Sequence, residues 1–261
     1  MEYTQQVNHF LQECLRDLND RDTDVIRRHL DTIASALGSD IEGKLLLMFG
    51  GSTAKHTYVN GLSDVDMLVT LNESSLANSG PEAVLDYFVD RLRQRLPNTS
   101  VEKGRLAVTV RFSDEHEVQL LPSVRTETGI KIPKPGASEW SNVIRPTRFA
   151  EKLTEVNQNF GGKVVPVIKL FKALNGSLPE ASQLSGYHME SVAVDAFKTY
   201  AGPATLHEMV KHLVEYSSKA VLKPVKDQTG QSLHVDDYLG SQESGGIGCV
   251  PPRLWSACQI G

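Results

Sequence analysis

The feature that most constrains this chain is one stretch, Leu45 to Val69. An apolar run, Leu45-Leu46-Leu47-Met48-Phe49, enters the double glycine Gly50-Gly51, as a buried strand does before a tight turn. Ser52 or Thr53 is placed to cap a short helix whose free N–H groups face an anion. A second apolar strand opens at Asp64-Val65-Asp66. Residues two apart on a strand point to one face, so the two carboxylates converge. Paired carboxylates beside a phosphate-binding turn suit Mg²⁺ (or Mn²⁺), a hard cation that bridges nucleotide phosphates through oxygen.

Gly51-Ser52 followed by Asp64-x-Asp66 resembles the signature of the DNA polymerase β-like nucleotidyltransferase superfamily. The resemblance implies an α/β (α+β) fold. A mixed sheet would be braced by N-terminal helices, a helical second lobe would follow, and the active site would lie in the cleft between them. The expected boundaries are 1–145 for the catalytic lobe and 146–261 for the helical, nucleotide-binding lobe.

Composition narrows the setting. A length of 261 residues suits one large domain or two lobes. With 40% apolar and 23% charged residues, the composition is that of a soluble globular protein. No apolar run approaches the ~20 residues that span a bilayer. Met1 to Gln6 lacks a basic-then-apolar secretion signal. Cys14, Cys249 and Cys258 are scattered and without metal spacing, which points to reduced thiols and a cytoplasmic location. A net charge of −5 argues against an extended nucleic-acid face, although it permits a local basic patch. There is no P-loop, heptad, internal repeat or Cys/His zinc pattern.

Along the chain, Val7, Phe10, Leu11, Cys14, Leu15 and Leu18 form one helical stripe, and Val25, Ile26, Leu30, Ile33, Ala34 and Leu37 a second. Both helices are expected to brace the sheet. A helix over about 81–96 buries Val84, Leu85, Phe88, Leu92 and Leu96; its Arg91, Arg93 and Arg95 face solvent, or else contact RNA or an acidic partner. Strands follow at 106–112 and 117–122, the second ending at Pro122. Trp140 either anchors the loop-rich crossing from 123 to 148 or stacks on a base.

In the superfamily the third metal carboxylate commonly sits three residues before that proline, where this chain has Gln119. Three readings stay open. Glu117, two residues earlier on the same face, supplies the carboxylate. Gln119 contributes its amide oxygen instead. Or the protein binds nucleotide without doing chemistry, because a glutamine cannot accept the proton of an attacking hydroxyl.

In the second half, helices are expected over 148–160, 164–175 and 207–218. Lys169 and Lys172, three apart, share a face turned to solvent or to the cleft. Leu184-Ser185-Gly186-Tyr187-His188-Met189-Glu190 reads as another helix start, with Ser185 as the cap and Tyr187 either stacked on a base or buried and hydrogen-bonded. Asp227 to Gln231 forms a loop, and His234, Asp236 and Asp237 read as surface capping residues.

Taken together, these motifs resemble the bacterial cGAS/DncV-like nucleotidyltransferases (CD-NTases), the SMODS-domain synthetases of CBASS anti-phage systems. The resemblance implies a metal-dependent enzyme that joins nucleoside triphosphates into a cyclic di- or trinucleotide and releases pyrophosphate. Gly51 and Ser52 would hold the donor triphosphate. Asp64 and Asp66, with Glu117, would hold metal and perform catalysis. Lys169, Lys172, Ser185, Tyr187 and Gln119 would contact nucleotide. The partners implied are ATP, GTP or other nucleoside triphosphates, an effector that receives the product, and a regulatory protein. The alternatives are a silent nucleotide-binding sensor, or an enzyme that modifies RNA, tRNA or protein.

Overall fold

The structure, a computed structural model, describes residues 3–20, 23–38, 44–49, 52, 55–59, 65–72, 75–134, 139–227 and 234–236. Packing divides the chain into two compact units. One holds Arg21–Ala54 and Ser63–Pro146; the other holds Met1–Asp20, Lys55–Leu62 and Thr147–Gly261.

The first unit is built on a mixed sheet. β1 (Lys44–Phe49) and β2 (Val65–Asn72) run antiparallel, and β2 lies parallel to β5 (Glu117–Arg125). β4 (Val108–Arg111) is antiparallel to both β5 and the edge strand β3 (Ser100–Lys103), and the short β6 (Ile130–Lys131) joins the far end of β5. Alternation sets the two faces. Val65, Met67, Val108, Val110, Val118 and Leu120 are buried, whereas Asp66, Thr109 and Gln119 are half-buried.

Helix α3 (Pro81–Arg95) packs on β3, β4 and β5 through a stripe that includes Val84, Leu85, Phe88 and Leu92. Proline at its first position suits a helix start, because no internal N–H bond is required there. Helix α2 (Thr23–Gly38) buries Ile26, Leu30, Ile33 and Leu37 and packs on α3 and β1. Trp140 donates from Nε1 to the Ser79 carbonyl at 3.0 Å, so it anchors the crossing segment.

Three features differ from the sequence reading. β5 runs on through Pro122. β4 stops opposite Leu120 and β6 starts opposite Val124, so that edge of β5 has no partner at the proline among the described residues. β3 has a single buried residue, Val101, too faint a pattern for periodicity to register. The third concerns α1 (Tyr3–Asn19). It packs on α5 (Val164–Gly176) and α7 (Leu206–Ala220), so it belongs to the helical unit, and α2 is the N-terminal helix that braces the sheet. Polar contacts fix α1 there: Asn8 Oδ1 accepts from the His207 N–H at 3.0 Å, and the Tyr3 ring stands edge-on to His207.

The helical unit is completed by α4 (Pro146–Asn159) and α6 (Gly186–Lys198). Its core includes Phe149, Leu153, Phe171, Val192, Phe197 and Leu213, each at most 2% exposed. Burying a side chain of this size contributes about 1.5–3 kcal/mol.

Candidate active site

Within the sheet unit, the parallel register of β2 and β5 puts Asp66 beside Gln119, and the antiparallel register of β4 and β5 puts Thr109 on its other side. These three side chains form a row across the half-buried face. The apolar residues of the same strands fill the opposite face, and the alternation leaves Asp66 no other direction. Gly51 and Asp64 lie outside the described residues. Ser52 is helical and partly buried.

The residue in register with Asp66 therefore carries an amide. Glu117, two residues along on the same face as Gln119, pairs with Arg111 on β4, whose Nε and Nη2 both donate to its Oε1. Its carboxylate is drawn toward β4, on the side of β5 away from β2.

In the helical unit, the lysine pair resolves differently from the expectation. Lys172 is turned away from solvent. It is 5% exposed, and its ammonium donates to Glu190 Oε1 at 2.8 Å and to the Thr57 carbonyl at 3.0 Å. Lys55 pairs with the other carboxylate oxygen of Glu190, and the Thr57 hydroxyl donates to Oε1. Burial would raise the Glu190 carboxyl, but the adjacent Lys55 and Lys172 charges outweigh it and hold the group below the ordinary glutamate range. One carboxylate thus ties residues just downstream of the glycine turn to α5 and α6. Lys169 lies one turn away on the half-buried side of α5, and its ammonium donates to Asn19 Oδ1.

Ser185 caps α6, accepting from the His188 N–H at 3.3 Å. Tyr187 donates its hydroxyl to Asp227 Oδ1 at 2.7 Å and packs edge-on against Phe149. The Lys55 ammonium stands 5.2 Å from the Phe149 ring centroid and 5.5 Å from that of Tyr187. Lys55 and Thr57 were not singled out by the sequence reading. Their signal is a lysine five residues beyond Gly50, with the apolar pair Tyr58-Val59 directly after Thr57. The loop beyond Asp227 and residue Asp237 lie outside the described residues. His234 and Asp236 are half-buried, and Asp236 Oδ1 accepts from the Val225 N–H at 2.8 Å.

Among protein families, residues 1–157 match SMODS, the Second Messenger Oligonucleotide or Dinucleotide Synthetase domain. The chain belongs to the SMODS family. The match takes in Gly50-Gly51, both aspartates and all of β5.

Solved structures similar to this SMODS protein include Bradyrhizobium diazoefficiens CdnG in complex with GTP (TM-score 0.67, 15% identity, 96% of this chain and 88% of that one). Another is the CdnC:HORMA-deltaN complex of Escherichia coli MS115-1 (TM-score 0.65, 18% identity, 91% and 79%). A third is the Rhodothermus marinus CdnE c-UMP-AMP synthase with Apcpp and Upnpp (TM-score 0.61, 18% identity, 92% and 94%). At these identities the likeness is one of fold: the SMODS chain has the mixed-sheet nucleotidyltransferase fold of the CD-NTases. No curated protein matches the sequence.

Proposed function

We propose that this protein joins nucleoside triphosphates into a cyclic di- or trinucleotide second messenger, releasing pyrophosphate, and that it serves anti-phage defence. The observation that carries the reading is the family match over residues 1–157, which contains Gly51-Ser52 and Asp64-x-Asp66. The GTP, Apcpp and Upnpp of the similar structures support nucleoside triphosphates as substrates, and the HORMA partner of CdnC supports a regulatory protein.

The donor set fits Mg²⁺ or Mn²⁺: a carboxylate at Asp66 and an amide oxygen at Gln119 stand side by side, with a second carboxylate at Asp64 two residues before Asp66 in the sequence. When bound, the metal lowers the pKa of an acceptor ribose hydroxyl and stabilises the departing pyrophosphate. The Gly51 amide and Ser52 hydroxyl hold the donor triphosphate. Asp64 and Asp66 would hold the metal. Gln119 cannot take the acceptor proton. Glu117 can, once its carboxylate turns from Arg111. Lys169, with Ser185 and Tyr187, is proposed to contact nucleotide. Lys172 acts through Glu190, as a positioning residue.

A second reading, a nucleotide-binding sensor without chemistry, draws on one specific observation. The residue in register with Asp66 is a glutamine, and the nearest glutamate on its face is paired elsewhere. Incubation with all four α-labelled nucleoside triphosphates separates the two. The synthetase gives a phosphatase-resistant product and pyrophosphate; the sensor gives metal-dependent binding alone.

A further inference from the structure

Away from these residues, the sheet unit gathers His29 of α2 with Asp114 and His116 of the turn between β4 and β5. Sequence spacing could not announce this cluster, since His29 and Asp114 are 85 positions apart. One ligand atom from each residue lies within 4.8 Å of the others. His29 Nε2 is 2.8 Å from Asp114 Oδ2, and His116 Nδ1 is 3.3 Å from Asp114 Oδ1.

The groups are held in place by their surroundings. The His29 ring stacks on Phe112 at 3.7 Å between centroids and 21° between planes. The turn is closed by Phe112 N–H donating to the His116 carbonyl at 2.9 Å and Glu115 N–H to the Phe112 carbonyl at 3.1 Å. Glu115 takes a left-handed φ of 67°, uncommon for a residue with a side chain. The Nδ1 of His116 is buried and makes no hydrogen bond, although it lies at ion-pair distance from Asp114. With its proton on Nε2, such a buried nitrogen without a hydrogen bond has an electron pair to give to a metal.

We propose that His29, Asp114 and His116 bind a borderline divalent transition metal, represented by Zn²⁺. Two imidazoles and one carboxylate suit such ions, whereas Mg²⁺ prefers oxygen alone. Ligand atoms about a tetrahedral zinc stand roughly 3.3 Å apart, given bond lengths of about 2.0–2.1 Å. The three ligand atoms here lie within 4.8 Å of one another, so side-chain rotations can bring them to that spacing. Three protein ligands leave the fourth position to water. The ion would clip α2 to the turn that leads into β5, the strand carrying Glu117 and Gln119.

The test uses the full chain, stripped with chelator and then equilibrated with Zn²⁺ in the presence of excess Mg²⁺. The expected results are retained zinc, a Tm that rises with Zn²⁺ concentration, and visible d–d bands when Co²⁺ replaces it. His116→Gln and Asp114→Asn should each weaken Zn²⁺ binding by at least ~10-fold, while Asp66→Asn should leave it unchanged. Because His29 is packed on Phe112, the turn variants carry the comparison. Wild-type protein that retains no zinc would overturn the proposal. So would zinc affinity unchanged in His116→Gln, or zinc affinity lost in Asp66→Asn.

Discussion

Glu190 is the residue on which the helical unit's buried charge depends. It is 1% exposed and faces two lysines. Replacing it with glutamine leaves Lys172 buried and unpaired, which should cost about 3–5 kcal/mol, read by chemical denaturation. The pH dependence follows from the direction of its shift. A carboxyl held below its unfolded value adds stability above that value, about pH 4.3, and loses it as pH falls through the folded value. The difference between wild type and Glu190→Gln should therefore be full at neutral pH and shrink in acid. A difference independent of pH down to the acid transition would remove the ion pair from the explanation. None of this was legible in the sequence. Helical spacing placed Lys169 and Lys172 on one face, but which of them is enclosed depends on Thr57 and Glu190, 115 and 18 positions away from Lys172.

The proposed roles of Glu117 and Gln119 on β5 are tested by two further substitutions. General-base assistance is worth roughly 10²–10⁴-fold, so Glu117→Gln should lower turnover by at least ~10²-fold while leaving nucleotide affinity near wild type. Gln119→Glu places a carboxylate in register with Asp66 and should raise turnover. Turnover unchanged in Glu117→Gln would show that the proton leaves by another route.

At the scale of elements, the helices were legible because their apolar stripes repeat at helical spacing and their starts carry chemical signals. Ser185 is such a signal, and the structure makes it the cap of α6. Ser185→Ala should cost about 1 kcal/mol, typical of a lost N-cap, with the helical unit otherwise intact by circular dichroism. A loss below a few tenths would mean that the cap contact carries little. Strands were less legible. Pro122 looked like a terminus because a proline cannot donate to a ladder, and only the unpaired stretch between β4 and β6 explains its place within β5. The edge strand β3 has one buried residue and no period to detect. Bracing by α1 was misplaced because an amphipathic stripe says that a helix is covered, not by what.

At the scale of the whole molecule, no described helix is long and apolar enough to cross a membrane. The chain forms a mixed-sheet unit and a helical unit, and the family match over residues 1–157 takes in every strand of the sheet. The spacing from Gly51-Ser52 to the paired aspartates was enough to point to the superfamily, because it is a local property of the sequence, whereas the narrower family rested on the later motifs taken together with it. The product's bases are not local in that sense, since they depend on every group that surrounds the nucleotide.

The central claim is that this SMODS protein makes a cyclic nucleotide at Asp64 and Asp66. The direct measurement incubates the purified chain with α-labelled ATP, GTP, CTP and UTP and Mg²⁺ or Mn²⁺, then adds phosphatase and separates the products. An Asp64→Asn/Asp66→Asn variant runs alongside, and nucleotide binding is measured on both proteins. A phosphatase-resistant product, present in wild type and absent from the double variant, is the expected result. No such product with either metal, alongside intact metal-dependent binding of ATP or GTP, would contradict the synthetase and favour the sensor; loss of binding as well would contradict the nucleotide site itself.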